Sequence, residues 1–237
     1  MATQPLADRT AAAGRPVSAV RVIVAASIGN ALEWFDFLIY GYFAVTIAKV
    51  FFPAGDGTVS LLITFGTFGL SYLVRPLGAI IIGTYTDRHG RRAGLTLSIG
   101  LMMIGTAMMA VTPGYQTIGL AAPALVMLAR LLQGFSVGGE FGSATAFLVE
   151  HSAKRKGFFA SWQWASQGLT AIVASAFGVV LSDAMPPDQL VAWGWRIPFF
   201  FGLLLGPIGL YIRSRMAETP EFAAAEPTKT PFRDLLA

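Results

Sequence analysis

The chain has 237 residues, 54% of them hydrophobic and only 13% charged, about half the charged share of an ordinary globular domain. Such a chain is ill suited to a water-facing exterior, and its long apolar runs match the roughly 30 Å of hydrocarbon in a bilayer. With no cysteine, disulfides and thiolate metal sites are excluded, two scattered histidines argue against a histidine metal site, and the net charge of +4 informs through its placement, not its size.

Residues 1–20 carry Asp8, Arg9 and Arg15 among Ala, Thr and Pro. They lack the apolar segment and cleavage site of a signal peptide, so they read as a cytoplasmic tail, with the first span as an uncleaved insertion signal. Six membrane helices are expected at 21–48, 59–84, 93–112, 119–149, 158–182 and 195–213. "FFPAGDG" follows the first, "TPGY" the third and "SDAMPPD" the fifth, each rich in residues that end helices and shape turns. Residues 214–237 read as a second cytoplasmic segment. The fold class is an all-α membrane protein, a six-helix bundle over 21–213.

Basic residues settle the expected orientation. Arg9, Arg15, Arg21, Arg88, Arg91, Arg92, Lys154, Arg155, Lys156, Arg213, Arg215, Lys229 and Arg233 fall on one side, against Lys49 and Arg196 on the other. The positive-inside rule puts both termini in the cytoplasm. Trp193 and Trp195 in "WGWRIPF" then read as anchors at the outer headgroups, the usual place for membrane tryptophans.

Five charges fall inside spans: Glu33 and Asp36 in the first, Arg75 in the second, Arg130 and Glu140 in the fourth. Each costs at least about 2.5 kcal/mol to insert, so it persists only if paired, hydrated or useful. Glu33 lies roughly 18 Å along the helix from Arg21, near the midplane, and Asp36 shares its face. Arg130, Gln133, Val137 and Glu140 form one stripe on the fourth span, and Gly134, Gly138 and Gly142 recur beside it at the spacing that lets helices approach closely. One reading is a set of buried ion pairs, a span-one carboxylate with Arg75 or Arg130. The other is a polar pathway in which an arginine binds an anion and a carboxylate takes up protons.

Between spans two and three, "GTYTDRHGRR" reads as an inner loop. Asp87 is placed to accept hydrogen bonds or face a helix N-terminus, and Arg88, Arg91 and Arg92 to bridge carboxylates on neighbouring helix ends.

That G-x-x-x-D-R-x-G-R-R pattern resembles the loop signature of the major facilitator superfamily, and "RLLQG" resembles its span-four signature. More narrowly, "GNALEWFDF", "VRPLGA", "RLLQGFSVGGEFG", "WGWRIPF" and "AETPEF" resemble the metabolite:proton symporter family, with a lean toward its citrate and tricarballylate branch. The resemblance implies a cytoplasmic gating loop of Gly83, Asp87, Arg88, Gly90, Arg91 and Arg92. It implies substrate or coupling roles for Arg130 and Gln133 and a protonatable pair in Glu33 and Asp36. Arg75 joins them as a candidate for binding an organic anion, and Glu140 as a further candidate for proton coupling. The proton is the coupling ion, and neither cofactor nor metal is implied.

Carriers of this superfamily have two six-helix halves with substrate held between them near the midplane. The sequence corresponds to the N-terminal half, and 214–237 to the start of the linker, so a truncated frame, a split gene or a fragment is expected. A second half or a homodimer would complete it. Spans two and five would offer faces to that partner, with Ser71, Ser161, Gln163, Ser166, Gln167 and Ser175 among them. The expected function is proton symport of a small organic acid such as citrate across a bacterial inner membrane. A zwitterionic osmolyte of the proline or betaine type is the alternative substrate, and a non-transporting membrane protein or assembly partner the alternative of another class. No nucleotide loop, nucleophile triad, metal-binding helix or pore loop suggests an enzyme or channel, and no nucleic-acid partner is implied.

Overall fold

Pro76 lacks the N–H that would continue a helix through the middle of the second apolar run. There the chain divides at Val74 into α3 (Gly57–Leu73) and α4 (Arg75–His89). The computed structural model describes residues 19–150 and 155–214. Before that joint come α1 (Ala19–Tyr42) and α2 (Ala44–Phe51); after it come α5 (Arg91–Val111), α6 (Tyr115–Ile118), α7 (Ala121–Glu150), α8 (Lys156–Ala184), α9 (Pro187–Ala192) and α10 (Ile197–Ser214). Among the described residues, six helical stretches are long and apolar enough to cross a membrane: 22–42, 57–89, 91–111, 121–150, 156–184 and 194–214. The tail expectations for 1–18 and 215–237, and the base at Lys154, lie outside the described residues.

The ends of the spans differ from expectation in instructive ways. The first run does not stay one regular helix to residue 48: it turns at Phe43, although Phe43 N–H still reaches Ile39 O (3.0 Å) and Ile47 N–H reaches Phe43 O (2.8 Å). The inner loop is shorter than its sequence suggests. Asp87 and Arg88 occupy the last turn of α4, Arg91 and Arg92 the first turn of α5, and only Gly90 is non-helical. Its φ of 100° lies where a side chain would be strained, which is why glycine stands at this turn.

In hydrocarbon, helices gain little from burying apolar surface against one another, so close packing must supply the attraction. Gly134 and Gly138 of α7 supply it: a Cβ at either would strike the carbonyl oxygen of Ser71 or of Arg75. Gly78 of α4 meets the Phe135 carbonyl in the same way, whereas Gly142 faces open space and takes no part. A large apolar cluster toward one end joins Ile39, Phe43, Ile47 and Phe51 to Met109, Val126, Trp195 and Phe199. A smaller one at the other end joins Val22, Ala25 and Ala26 to Leu95, Phe147, Leu148 and Phe159.

Two expectations about surfaces are corrected. Trp195 is no interfacial anchor: it is fully buried edge-on to Phe51 and Phe199, while Trp193 is the exposed one. Beside it Arg196 donates to the carbonyls of Ala110 (3.1 Å) and Thr112 (2.6 Å), satisfying the open end of α5. Ser71, Gln163, Ser166 and Gln167 are not offered to a partner either. They are buried, Ser71 under Gly134 and the other three around Asn30 of α1, whose Nδ2 donates to Gln163 O (2.8 Å) and Ser166 Oγ (2.7 Å). Ser161 and the Tyr42-bonded Ser175 remain toward the outside. The outward faces of α3, α4 and α8 are apolar, with Leu62, Phe65, Leu73, Leu77, Ile81, Leu169 and Ile172 exposed.

Gly138→Val is expected to lower stability by about 1–3 kcal/mol through overpacking, read as a reduced thermal midpoint in detergent. Gly142→Ala is expected to leave that midpoint unlowered, since its site is open. Equal losses at both positions would overturn the packing account.

Candidate functional site

A cleft of about 410 Å³ opens between α1, α4, α7 and α8. Its wall carries Glu33 and Trp34 from α1, Tyr72, Arg75 and Pro76 at the α3–α4 joint, Phe141 from α7, and Trp164 and Gln167 from α8. Arg75 is the first residue after the break, so the joint itself aims the guanidinium. Its Nη2 lies 3.9 Å from Glu33 Oε1, an attraction too long to be a hydrogen bond. The group sits over the rings of Tyr72 (3.9 Å) and Phe37 (4.7 Å). Its Nε has no hydrogen-bond partner among the described residues. A planar cation held by ring faces and only loosely paired retains the capacity to take a carboxylate in a two-pronged grip.

Behind the cleft lies a second polar layer. Arg130 of α7 is 1% exposed and donates through Nη1 to Gln133 Oε1 at 2.6 Å. Gln133 Nε2 donates to Asp36 Oδ2 at 2.5 Å, and Thr106 Oγ1 of α5 donates to the same oxygen. Thus Asp36 and Arg130 do not touch; one amide relays between them. The rest of the Arg130 guanidinium is clasped by Tyr40 (4.2 Å), Phe68 (5.1 Å) and Phe37 (5.2 Å), a cation–π setting that gains strength when desolvated. Tyr40 is fixed in turn by donating to Thr64 O at 3.0 Å.

Glu140, on the same stripe of α7, has a different neighbour. Arg213 at the last turn of α10 donates to Glu140 Oε1 at 2.6 Å, to Ala25 O at 2.9 Å, to Leu95 O at 2.7 Å and to Ala26 O at 3.3 Å. Both side chains are almost wholly buried. Gly29 of α1 makes room for the pair, since a Cβ there would overlap Glu140 Oε1 and Arg213 Nη2. At the Gly90 turn, Arg91 reaches Asp87 (3.1 Å) and Glu150 of α7 (3.6 Å); Gly83 lies one turn before Asp87 within α4. Outside the spans at the other end, Asp56 accepts from Thr58 N–H (2.7 Å) and Val59 N–H (3.1 Å), and these backbone bonds hold its carboxyl below the ordinary carboxylate range.

The structure therefore gathers Glu33 with Arg75, and Asp36 with Gln133 and Arg130, and binds Glu140 to Arg213 while leaving it near enough to Glu33 for the two carboxylates to act on each other. Sequence reasoning missed Thr106, whose only signal is a threonine in an apolar run. It also took Arg213 for a marker of orientation, because an arginine at the end of a span is most simply read that way.

Two groups of polar side chains thus lie inside six apolar helices. The sequence profile of the family described as "Sugar (and other) transporter" matches residues 22–230, and the chain belongs to that family, within the major facilitator superfamily. It is 44% identical over 223 residues to the citrate-proton symporter of Klebsiella pneumoniae, covering 94% of this chain and 50% of the relative. It is 43% identical over 203 residues to the proline/betaine transporter of Salmonella typhimurium, covering 85% and 41%. The solved structure of the proton:xylose symporter XylE superposes with a TM-score of 0.77 at 15% identity, covering 86% of this chain and 46% of that one. That likeness speaks to the fold, which is the six-helix N-terminal half of the major facilitator architecture. The chain spans about half the length of the relatives it matches.

Removing one member of a buried ion pair strands the other charge, so Arg213→Ala is expected to cost about 3–5 kcal/mol. The double change Arg213→Met with Glu140→Leu should recover part of that loss, measured by thermal unfolding in detergent. A double variant no better than the single one would show that the carbonyl contacts, not the pair, carry the effect. Thr106→Val, which leaves Asp36 with one donor fewer, is expected to cost about 1–3 kcal/mol in the same assay.

Proposed function

We propose that this six-helix unit works as one half of a proton-coupled carrier of small organic acids, completed by a second six-helix unit, either a partner or another copy. The observation that carries the reading is the Glu33–Arg75 pair in the cleft, separated by 3.9 Å and lacking a hydrogen bond. A substrate carboxylate and the Glu33 carboxylate are rivals for one guanidinium. Protonating Glu33 removes the rival, so proton uptake and anion binding favour each other, which is the coupling a symporter needs. By linkage, whichever binds first strengthens the other by the same factor.

In this reading Arg75 grips the substrate and Glu33 carries the proton. Asp36, Gln133 and Arg130 form the layer that senses the cleft from behind, and Thr106 positions Asp36. Glu140, committed to Arg213, serves the fold. The turn of Asp87, Arg88, Gly90, Arg91 and Arg92 forms the gate at the cytoplasmic end, with both termini on that side of a bacterial inner membrane. Alternating access arises from rocking of one half against the other around the cleft. The citrate-proton symporter of Klebsiella pneumoniae as a relative supports the choice of a carboxylate.

A second substrate class has its own observation. Trp34, Tyr72, Phe141 and Trp164 all line the cleft, and aromatic walls suit a quaternary ammonium. A betaine would place its carboxylate on Arg75 and its cation among the rings, consistent with the proline/betaine transporter among the relatives.

The test is uptake of radiolabelled citrate into vesicles holding only this chain, acid outside, with the mass of the assembly measured in detergent. Uptake that an uncoupler abolishes supports the coupled carrier, and uptake that survives the uncoupler defeats it. Competition by tricarboxylates, dicarboxylates and betaine ranks the substrate classes. Binding measured across pH checks the rivalry directly. Wild-type affinity should rise as pH falls, Glu33→Gln should flatten that dependence, and Arg75→Ala should weaken binding about 10- to 100-fold. A pH profile unchanged in Glu33→Gln would remove Glu33 from the mechanism.

A further inference from the structure

Residues three and four apart on a helix share a face, which puts Gln167 of α8 at a border. With Gln163 it turns toward Asn30 of α1, and with Trp164 it lines the cleft that holds Arg75 and Glu33. Asn30 is wholly buried and fully committed. Its Nδ2 donates to Gln163 O (2.8 Å) and Ser166 Oγ (2.7 Å), and its Oδ1 accepts from Gln163 Nε2 and Gln167 Nε2, both at 3.4 Å. A backbone carbonyl only accepts, so the bond to Gln163 O fixes the Asn30 amide with its nitrogen there and its oxygen toward the two glutamines. The Gln167 amide is fixed in turn, because only its nitrogen can meet that oxygen.

Gln167 is nine-tenths buried, and among the described residues its side chain has that one hydrogen bond, long for an N–H···O contact. The amide therefore keeps Oε1 and one hydrogen of Nε2 uncommitted, an acceptor beside a donor. A hydroxyl, which donates and accepts at once, matches that pair. The other polar groups of the cleft do not duplicate it. Arg75 and the indoles of Trp34 and Trp164 only donate, an ionised Glu33 only accepts, and Tyr72 lies with its ring against the Arg75 guanidinium.

We infer that Gln167 reads a hydroxyl on the substrate, so that the cleft selects hydroxycarboxylic acids over the same acids without the hydroxyl. The inference rests on the carrier reading above, in which Arg75 takes a substrate carboxylate. An acid lacking the hydroxyl would seal the uncommitted amide from water without giving it a partner, and that penalty falls on the analogue alone.

Citrate and tricarballylate differ only by a hydroxyl, so their affinities for the full chain in detergent, measured by calorimetry at one pH, make the test. Wild type should bind citrate about tenfold more tightly. Gln167→Met, an apolar chain of similar length, should bring the two affinities within about twofold of each other. Gln163→Met removes the other amide on Asn30 Oδ1 but lies outside the cleft, and should keep the wild-type ratio whatever it does to the thermal midpoint. Equal affinities in wild type, with both acids lost in Arg75→Ala, overturn the role of Gln167 and leave the carrier reading standing. A tenfold ratio that survives Gln167→Met, collapses equally in Gln163→Met, or disappears instead in Tyr72→Phe overturns it too. Failure of both acids to bind wild type, or binding as tight to Arg75→Ala, overturns the carrier reading and this inference with it.

Discussion

Arg213 spends one guanidinium on four acceptors from three other helices: the carbonyls of Ala25 and Ala26 on α1, that of Leu95 on α5, and the Glu140 carboxylate on α7. Inside hydrocarbon no water would solvate any of these groups if they parted. The same constraint orders the rest of the interior. Asp36 draws in Gln133 and Thr106, Gln133 draws in Arg130, and the aromatic rings around Arg130 cover what is left of its charge. Once Arg213 and Glu140 fix α1, α5, α7 and α10 at one end, Asp36 and Glu33 have defined positions along α1. Where the two carboxylates stand along α1 is therefore tied to the charge pair that holds α1 in place.

The glycines of α7 enforce the complementary requirement of proximity. Polar side chains as short as threonine and aspartate meet across helices only when the backbones are close. Gly134 and Gly138 bring α3 and α4 to within contact of α7 through the Ser71 and Arg75 carbonyls. The backbone of Arg75 is thus pinned against α7 while its side chain turns to the cleft. A site residue is being placed by a packing motif.

Much of this was legible from residue types alone. Six spans follow from apolar length, and the five intramembrane charges stand out because each is expensive. The loop and span-four signatures carry the family. What escaped the sequence were relations that need three dimensions. Thr106 is unremarkable in "MIGTAMM" until α5 lies against α1. Arg213 looks like an ordinary basic residue at a span end, and Trp195 like an ordinary interfacial tryptophan, until burial shows otherwise. The Gln163, Ser166 and Gln167 group looked like a surface awaiting a partner because polarity on a membrane helix is ambiguous: it turns inward to Asn30 when a neighbour offers the match. The inner loop was read as longer than it is because charges usually mark chain outside a helix, and here they decorate helix ends on either side of Gly90.

The break between α3 and α4 puts a cleft residue at the base of a rod. Arg75 opens a helix of 15 residues ending at His89, about 22 Å long. A tilt of only about 10° at its base would carry the far end roughly 4 Å sideways over that length. The one-residue Gly90 turn would pass the displacement to α5 almost undiminished. The Arg75 guanidinium thus stands at the base of a lever arm that runs the length of α4 to the Gly90 turn.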